Sequence, residues 1–161
     1  MIVVSDTSPV SNLLQIEKLD LLRDIFGEVI IPPAVLLEIR ALEHFGIDLS
    51  SFSTSDWIRV EQPKASEAVA GLRHNLDAGE SEAIVLAVEM QADWILLDER
   101  QATKIAEEKG LHPIGLIGIL IKAKEKGLIP AVVPLVEELR HKAGFWITDH
   151  LLARIRELVS E

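Results

Sequence analysis

Two short apolar segments, far apart in the chain and each followed by an aspartate, constrain the fold most. Val3-Val4-Ser5 leads into Asp6, and Trp94-Ile95-Leu96-Leu97 leads into Asp98. Continuous apolar segments of this length are typical of strands buried on both faces in a parallel sheet. Since ligands of open α/β sheets bind at the carboxyl edge of the strands, Asp6 and Asp98 are candidate functional residues.

Asp6 also has a purely structural interpretation. It is followed by Thr7, Ser8 and Pro9, which favour a turn and the start of a helix, so an isolated aspartate here would be read as a helix cap. The second segment with the same ending favours a functional role instead.

Composition and charge limit the class of protein. The chain has 161 residues, 48% of them hydrophobic, which predicts one domain over residues 1–161 with its own core. It has no cysteine, which excludes disulfides and thiolate metal sites. No secretory signal and no membrane-spanning segment is apparent, so we expect a cytoplasmic protein. The net charge of −10 argues against a surface that binds nucleic acid by charge alone.

The remaining pattern alternates between strands and helices. Val29-Ile30-Ile31 is a further buried strand, and Trp57–Val60 alternates in polarity, as edge strands do. Residues 44–56 lack periodicity and are interpreted as a surface loop or irregular helix. His112-Pro113-Ile114 is a weak last strand. This order predicts an α/β fold with a mostly parallel sheet covered by helices on both faces.

Further acids lie where they could join Asp6 and Asp98. Glu38 follows the second strand, on the apolar side of a predicted helix, and Glu80 and Glu82 lie in the first turns of the most regular predicted helix. Carboxylates that converge in a cleft repel one another, and a divalent cation relieves that repulsion. Oxygen ligands without cysteine or clustered histidine favour Mg²⁺ or Mn²⁺ over zinc.

These acids also have structural interpretations. Glu38 could be a solvated helix residue, as most glutamates are. Asp77 and Glu80 have the spacing of a capping box, with Asp77 as the cap. Glu80 and Glu82 lie about 200° apart around a helix, so both should not ligate one metal directly. Side-chain direction favours Glu80. We interpret Asp93 and Glu99 as surface charges.

Four motifs in order resemble a known family. Asp6-Thr7-Ser8-Pro9, Ile31-Pro32-Pro33 leading to Glu38, the stretch from Leu76 to Ile84, and Leu96-Leu97-Asp98-Glu99-Arg100 are similar to those of PIN domains. Within that family they resemble the prokaryotic proteins grouped with VapC-type toxins, over essentially the whole chain. In those toxins an Asp precedes a similar Ala-rich stretch, and aligning the two stretches favours Glu82 over Glu80 as the metal ligand. Two departures are Leu116, where the subfamily usually has Thr, and Lys104, where it usually has Arg.

The resemblance implies a three-layer α/β/α sandwich and a Mg²⁺- or Mn²⁺-dependent endoribonuclease. It implies a site built from Asp6, Glu38, an acid of the Gly79–Glu82 motif and Asp98. It also implies a homodimer and a small antitoxin that blocks the site. For the RNA substrate, Thr7, Ser8, Arg100 and Lys104 are the candidate contacts, with Arg73 a further cation nearby.

Two other functions use a similar strand end. A phosphoaspartate signalling module also has an aspartate after a buried strand. Dehalogenase-like enzymes normally have a second acid two residues later, whereas this chain has Ser8 at that position. A non-catalytic PIN scaffold would keep the acids and bind metal without turnover.

Overall fold

The computed structural model describes all 161 residues and contains five parallel strands in one sheet. The strand order is β3-β2-β1-β4-β5, which places the first strand at the centre. The strands are β1 (Val3–Ser5), β2 (Val29–Ile31), β3 (Ile58–Val60), β4 (Trp94–Leu96) and β5 (Pro113–Ile114). Val4 is in register with Ile30 on one side and with Ile95 on the other. The sheet is entirely parallel, where a mostly parallel one was predicted.

Ten α-helices connect and cover the strands. They are α1 (Thr7–Gln15), α2 (Asp20–Phe26), α3 (Pro33–Ala41), α4 (Ser50–Ser53), α5 (Ser66–Leu72), α6 (Ala78–Met90), α7 (Arg100–Glu108), α8 (Leu116–Glu125), α9 (Val133–Lys142) and α10 (Asp149–Val159). None of them is long and apolar enough to cross a membrane.

Alternate residues of β1, β2 and β4 face two separate cores. Val3 and Leu96 belong to a larger core with α1, α2, α8, α9 and α10, while Val4, Ile95 and Leu97 belong to a smaller core with α6 and α7. Successive side chains of a strand point to opposite faces of the sheet, so consecutive apolar residues make both faces apolar. Helices must then cover both faces. The three-layer α/β/α fold predicted from the sequence is therefore confirmed.

The predicted helix caps are present, and the segment predicted to be irregular contains additional helix. Thr148 caps α10 by accepting a hydrogen bond from the Leu151 N–H (3.0 Å), and Asp77 and Glu80 form the predicted capping box at α6. Residues 44–56 contain more helix than expected, because a 3₁₀ turn (Leu42–Phe45) continues α3 and α4 follows it. Their apolar residues Leu49 and Phe52 pack against the larger core.

Two acids interpreted as surface charges have structural roles. Asp93 accepts the Ile2 N–H at 2.6 Å and joins the start of β4 to the start of the chain. Glu99 caps α7 by accepting the Ala102 N–H at 2.7 Å. Both residues are exposed, as the sequence interpretation expected, and both also accept N–H groups at strand and helix ends, which need acceptors.

Candidate functional site

The centre of the candidate site is the carboxyl group of Asp6, at the carboxyl end of the central strand. Its backbone N–H continues the sheet by donating to the Leu96 carbonyl at 3.0 Å. Asp6 occupies the position before α1, but its side chain makes no capping hydrogen bond. The residue is only 5% exposed, and its Oδ1 is buried without a hydrogen-bond partner. The capping interpretation of Asp6 therefore does not describe its side chain.

The surroundings of Asp6 oppose ionisation. Burial raises its pKa from 3.8 to about 7, the nearby Thr7 N–H lowers it, and the negative charges of Asp77, Glu80 and Glu38 raise it further. None of these four acids forms an ion pair with a basic residue. A buried carboxylate without a cationic partner is unfavourable in the folded protein.

Glu38 is fixed between two other elements of the site. The Thr7 hydroxyl donates to Glu38 Oε2, and the Gly79 N–H donates to Glu38 Oε1 at 3.2 Å. A Cβ atom at position 79 would lie 2.7 Å from Glu38 Oε2, so only glycine fits without moving this carboxylate. Glu38 thus lies in the site as predicted, while Thr7, predicted to contact substrate, binds Glu38 in this structure.

Glu80 and Glu82 point to different neighbours. Glu80 is 8% exposed, its carboxylate accepts the Asp77 N–H at 3.1 Å, and burial raises its pKa, with smaller contributions from Asp77, Glu99 and Glu38. Glu82 instead accepts the Ala34 N–H at 3.1 Å, at the start of α3. Glu80 is therefore the one of the two that shares an electrostatic environment with Asp6.

Asp98 lies at the same sheet edge but is electrostatically separate. Its Oδ1 accepts the Leu116 N–H at 2.8 Å, and a Cβ at Gly115 would lie 2.7 Å from the same oxygen. Desolvation raises the pKa of Asp98 and the Leu116 hydrogen bond lowers it, with no contribution from another acid. Asp98 therefore connects the end of β4 to the start of α8, a role that the sequence did not indicate.

The acids do not form a compact cage. No group of three or more acidic or histidine side chains is arranged to hold a metal ion directly. This arrangement still suits Mg²⁺, which usually keeps several waters and binds through one or two carboxylates. The buried, unpaired Asp6 Oδ1 and the absence of a neighbouring cation both fit a divalent ion, and every donor is an oxygen atom.

The polar side chains considered for RNA binding are solvent-accessible, except that of Thr7, which is partly buried. Ser8, Arg73, Arg100 and Lys104 are all exposed, and none of the three cations is in an ion pair. Arg100 and Lys104 are one turn apart on α7, which starts two residues after Asp98. Asp77, interpreted from the sequence only as a cap, is an additional acid near Asp6.

The pKa of Asp6 predicts how the metal-free protein responds to pH. Since the folded pKa is raised, the folded state binds more protons than the unfolded state between pH 3.8 and about 7. Its free energy of unfolding should therefore fall across this range and then level. Asp6→Asn removes the penalty, so the variant should match the wild type near pH 4 and exceed it by at most about 4 kcal/mol at pH 8.

Urea unfolding in EDTA across this pH range measures the difference. Asp56→Asn, which changes an exposed aspartate, is the control and should follow the wild-type curve. An Asp6→Asn variant less stable than the wild type at pH 8 would contradict this interpretation of the site.

Comparisons with known proteins place the chain in a family. A family model described as a PIN domain matches residues 2–161. No curated protein matches the chain. Among solved structures, the chain is similar to a PilT N-terminus domain protein from the hyperthermophilic archaeon Sulfolobus solfataricus P2. The identity is 22%, the TM-score is 0.49, and the match covers 74% of this chain and 90% of that one. Because the family model spans nearly the whole sequence, this chain belongs to the PIN-domain family.

Proposed function

We propose that this protein is a metal-dependent endoribonuclease that hydrolyses phosphodiester bonds of single-stranded RNA at the Asp6 site. PIN domains are typically metal-dependent nucleases, and they generally use divalent metal ions. The observation that carries the proposal is the buried Asp6 carboxyl group with an unpaired oxygen, surrounded by acids and without a cation. A divalent ion supplies the positive charge that this group lacks.

We propose that Asp6, Glu38 and Glu80, with Asp98 on the β4 side, hold Mg²⁺ or Mn²⁺ through one or two direct carboxylate ligands and through bound waters. When bound, the metal lowers the pKa of a water nucleophile and stabilises charge on the phosphate. Glu82 is omitted because its carboxylate is directed to the start of α3 and, unlike Glu38 and Glu80, it is not among the charges that raise the pKa of Asp6.

The chain's own residues have distinct tasks in this proposal. The Thr7 hydroxyl and the Gly79 N–H keep the Glu38 carboxylate in one orientation. The Asp77 N–H does the same for Glu80. Burial raises the pKa of the Asp6 carboxyl group to about 7, so a cation nearby favours its ionised form at and below neutral pH.

Exposed basic side chains contribute to RNA binding. Arg73, Arg100 and Lys104 are exposed and free of ion pairs, so they are available to contact backbone phosphates. Lys104 would act as a point charge, because it lacks the two-pronged geometry of arginine. With a net charge of −10, such binding should depend on these few contacts and on the metal.

We extend the proposal to a toxin role and a small antitoxin on the family resemblance alone. A basic side chain from such a partner, above all a guanidinium, could take the place of the cation between the acids. Cytoplasmic location is part of the same proposal, since a toxin of this kind acts on cellular RNA.

Cleavage of single-stranded RNA tests the proposed function. Activity should stop in EDTA and return with Mn²⁺ or Mg²⁺, but poorly with Zn²⁺, because the ligands are all oxygen. Glu80→Gln should weaken Mn²⁺ binding and reduce cleavage roughly 100-fold or more.

Glu82→Gln is the matched control, two residues away on the same helix. It should retain metal binding and cleavage, and only loosen the contact with α3. Melting curves distinguish a loss of the α6 cap from a loss of metal. Cleavage that persists in EDTA, or that is lost in Glu82→Gln but not in Glu80→Gln, would contradict the proposed site.

A single methyl group at position 79 should separate activity from stability. Gly79→Ala places a Cβ 2.7 Å from Glu38 Oε2, so the Glu38 carboxylate must shift and its contacts with Thr7 and Gly79 must change. Alanine is favoured over glycine inside helices by about 0.5–1 kcal/mol, so stability should change little. We therefore expect cleavage to fall roughly 10-fold or more with an almost unchanged melting temperature.

Gly71→Ala provides the control for that substitution. Gly71 lies in α5, and a Cβ there would meet no atom within 4 Å. It should leave cleavage at the wild-type rate. Full activity of Gly79→Ala would show that the orientation of Glu38 is not required.

A further inference from the structure

A small pocket opens beside the first turns of α3 and α6. Its volume is about 150 Å³, roughly the space of five water molecules. Its walls come from α3, the β3–α5 segment, α5 and α6, and the lining residues are Pro33, Gln62, Pro63, Ser66, Val69 and Glu82. A space of this size suits one planar ring system and is too small for a whole nucleotide.

The pocket adjoins the acids of the candidate site. Glu38 of α3 accepts the Gly79 N–H at the start of α6. Glu82 of α6 accepts the Ala34 N–H at the start of α3 in return. These reciprocal hydrogen bonds keep the first turns of the two helices side by side. Pro33 and Glu82 line the pocket on these same helices, so the pocket opens next to Glu38.

The wall formed by the β3–α5 segment is fixed before any ligand binds. On one side, the Glu61 N–H donates to the end of β2 at 3.0 Å. On the other side, the Glu89 carboxylate accepts the Lys64 and Ala65 N–H groups, each at 2.8 Å. The residues 62–63 lie between these two anchors, so the pocket is preformed and a ligand does not have to order it.

The lining combines apolar surface with polar groups. Pro33, Pro63 and Val69 provide the apolar surface, and the two prolines have no rotamer entropy to lose when a ligand covers them. Gln62 and Ser66 are exposed, and each side chain can both donate and accept hydrogen bonds. An unpaired nucleobase has the same division, with two apolar faces and an edge of donors and acceptors.

An unpaired cation lies beside the pocket. Lys64 directly follows Pro63, is exposed and forms no ion pair. A base in the pocket belongs to a strand with a phosphate at every nucleotide, and the Lys64 ammonium group is available to neutralise one of them. A nucleotide strand therefore matches both the pocket and its surroundings.

We propose that this pocket receives one unpaired base of the RNA, close along the strand to the phosphate that is cleaved at the Asp6 site. This inference rests on the proposed nuclease function and adds the part of the substrate that is recognised beside the metal. A base within a duplex is stacked and paired, so it does not enter the pocket. The pocket thus makes the enzyme select single-stranded RNA.

Abasic RNA tests the pocket in the Mn²⁺-loaded protein. A short single-stranded RNA with one cleavage point is resynthesised with an abasic ribose at each position in turn. At one position near the cleavage point, loss of the base should raise KM roughly 10-fold and leave kcat almost unchanged, because ground-state binding is lost while the metal site is intact. Abasic sites at other positions should have little effect.

Two substitutions on α5 close the pocket. Val69→Trp fills it and Ser66→Trp covers it, and Ser66 is exposed, so the second change does not disturb the core. Each variant should raise KM for intact RNA by a similar factor. Each should also cleave the intact and the sensitive abasic RNA alike, because the two losses are not additive when they remove the same contact.

Ala70→Trp is the matched control on the same helix. Ala70 is exposed and does not line the pocket, so this variant should keep the wild-type KM and the wild-type sensitivity to the abasic position. Circular dichroism establishes that each variant is folded before the KM values are compared.

The outcomes separate this inference from the proposed function. A wild type that cleaves RNA with the same KM for every abasic position overturns the inference and leaves the nuclease function standing. So does a sensitivity that survives in both Val69→Trp and Ser66→Trp, or that is lost in Ala70→Trp. A wild type that cleaves no RNA with Mn²⁺ overturns the proposed function, and this inference with it.

Discussion

The rest of the site depends on one unfavourable interaction, the burial of the Asp6 carboxyl group among other acids with no cation to balance it. The central position of β1 makes this burial unavoidable, because strands on both sides and helices on both faces surround its carboxyl end. A pKa raised to about 7 is the measure of that conflict in the protein without metal. Such a buried acid lowers the free energy of unfolding, and residues that destabilise the fold in this way are common in functional sites.

The neighbours of Asp6 serve the fold and the site together. Asp77 and Glu80 start α6 through their capping box and also place negative charge beside Asp6. Gly79, between them, lets Glu38 approach the backbone of α6. Asp98 similarly fixes the start of α8 while it remains at the sheet edge. A substitution at these positions therefore changes local structure and site chemistry at once.

Much of the fold could be predicted because the relevant patterns are local. The apolar strand segment before Asp6, the one before Asp98, the Asp77–Glu80 capping box and the Thr148 cap are each contained within a few consecutive residues. The contacts that decide the fate of each acid are not local. Glu82 accepts an N–H group 48 positions away, and Glu38 one 41 positions away. Helix periodicity indicated that Glu80 and Glu82 diverge, but only the packing of α3 against α6 shows which neighbour each one meets.

The same limit applies to Asp93 and Glu99. Charged residues beside strand ends look like surface positions in a sequence, and their partners appear only when the chain folds. Asp93 contacts Ile2 across 91 positions, while Glu99 caps its own helix without the usual second residue of a capping box. Thr7 is a further example, because a hydroxyl after a strand could equally contact substrate or a neighbouring acid.

Calorimetry of Mn²⁺ binding in buffers of different ionisation enthalpy tests the central claim most directly, because it counts the protons released. If the metal balances the Asp6 charge, binding near pH 6 should release about one proton, and release should approach zero above about pH 8.5, where Asp6 is already ionised. Asp6→Asn should bind weakly and release none. Tight binding without proton release at pH 6, or equal binding by Asp6→Asn, would contradict the account.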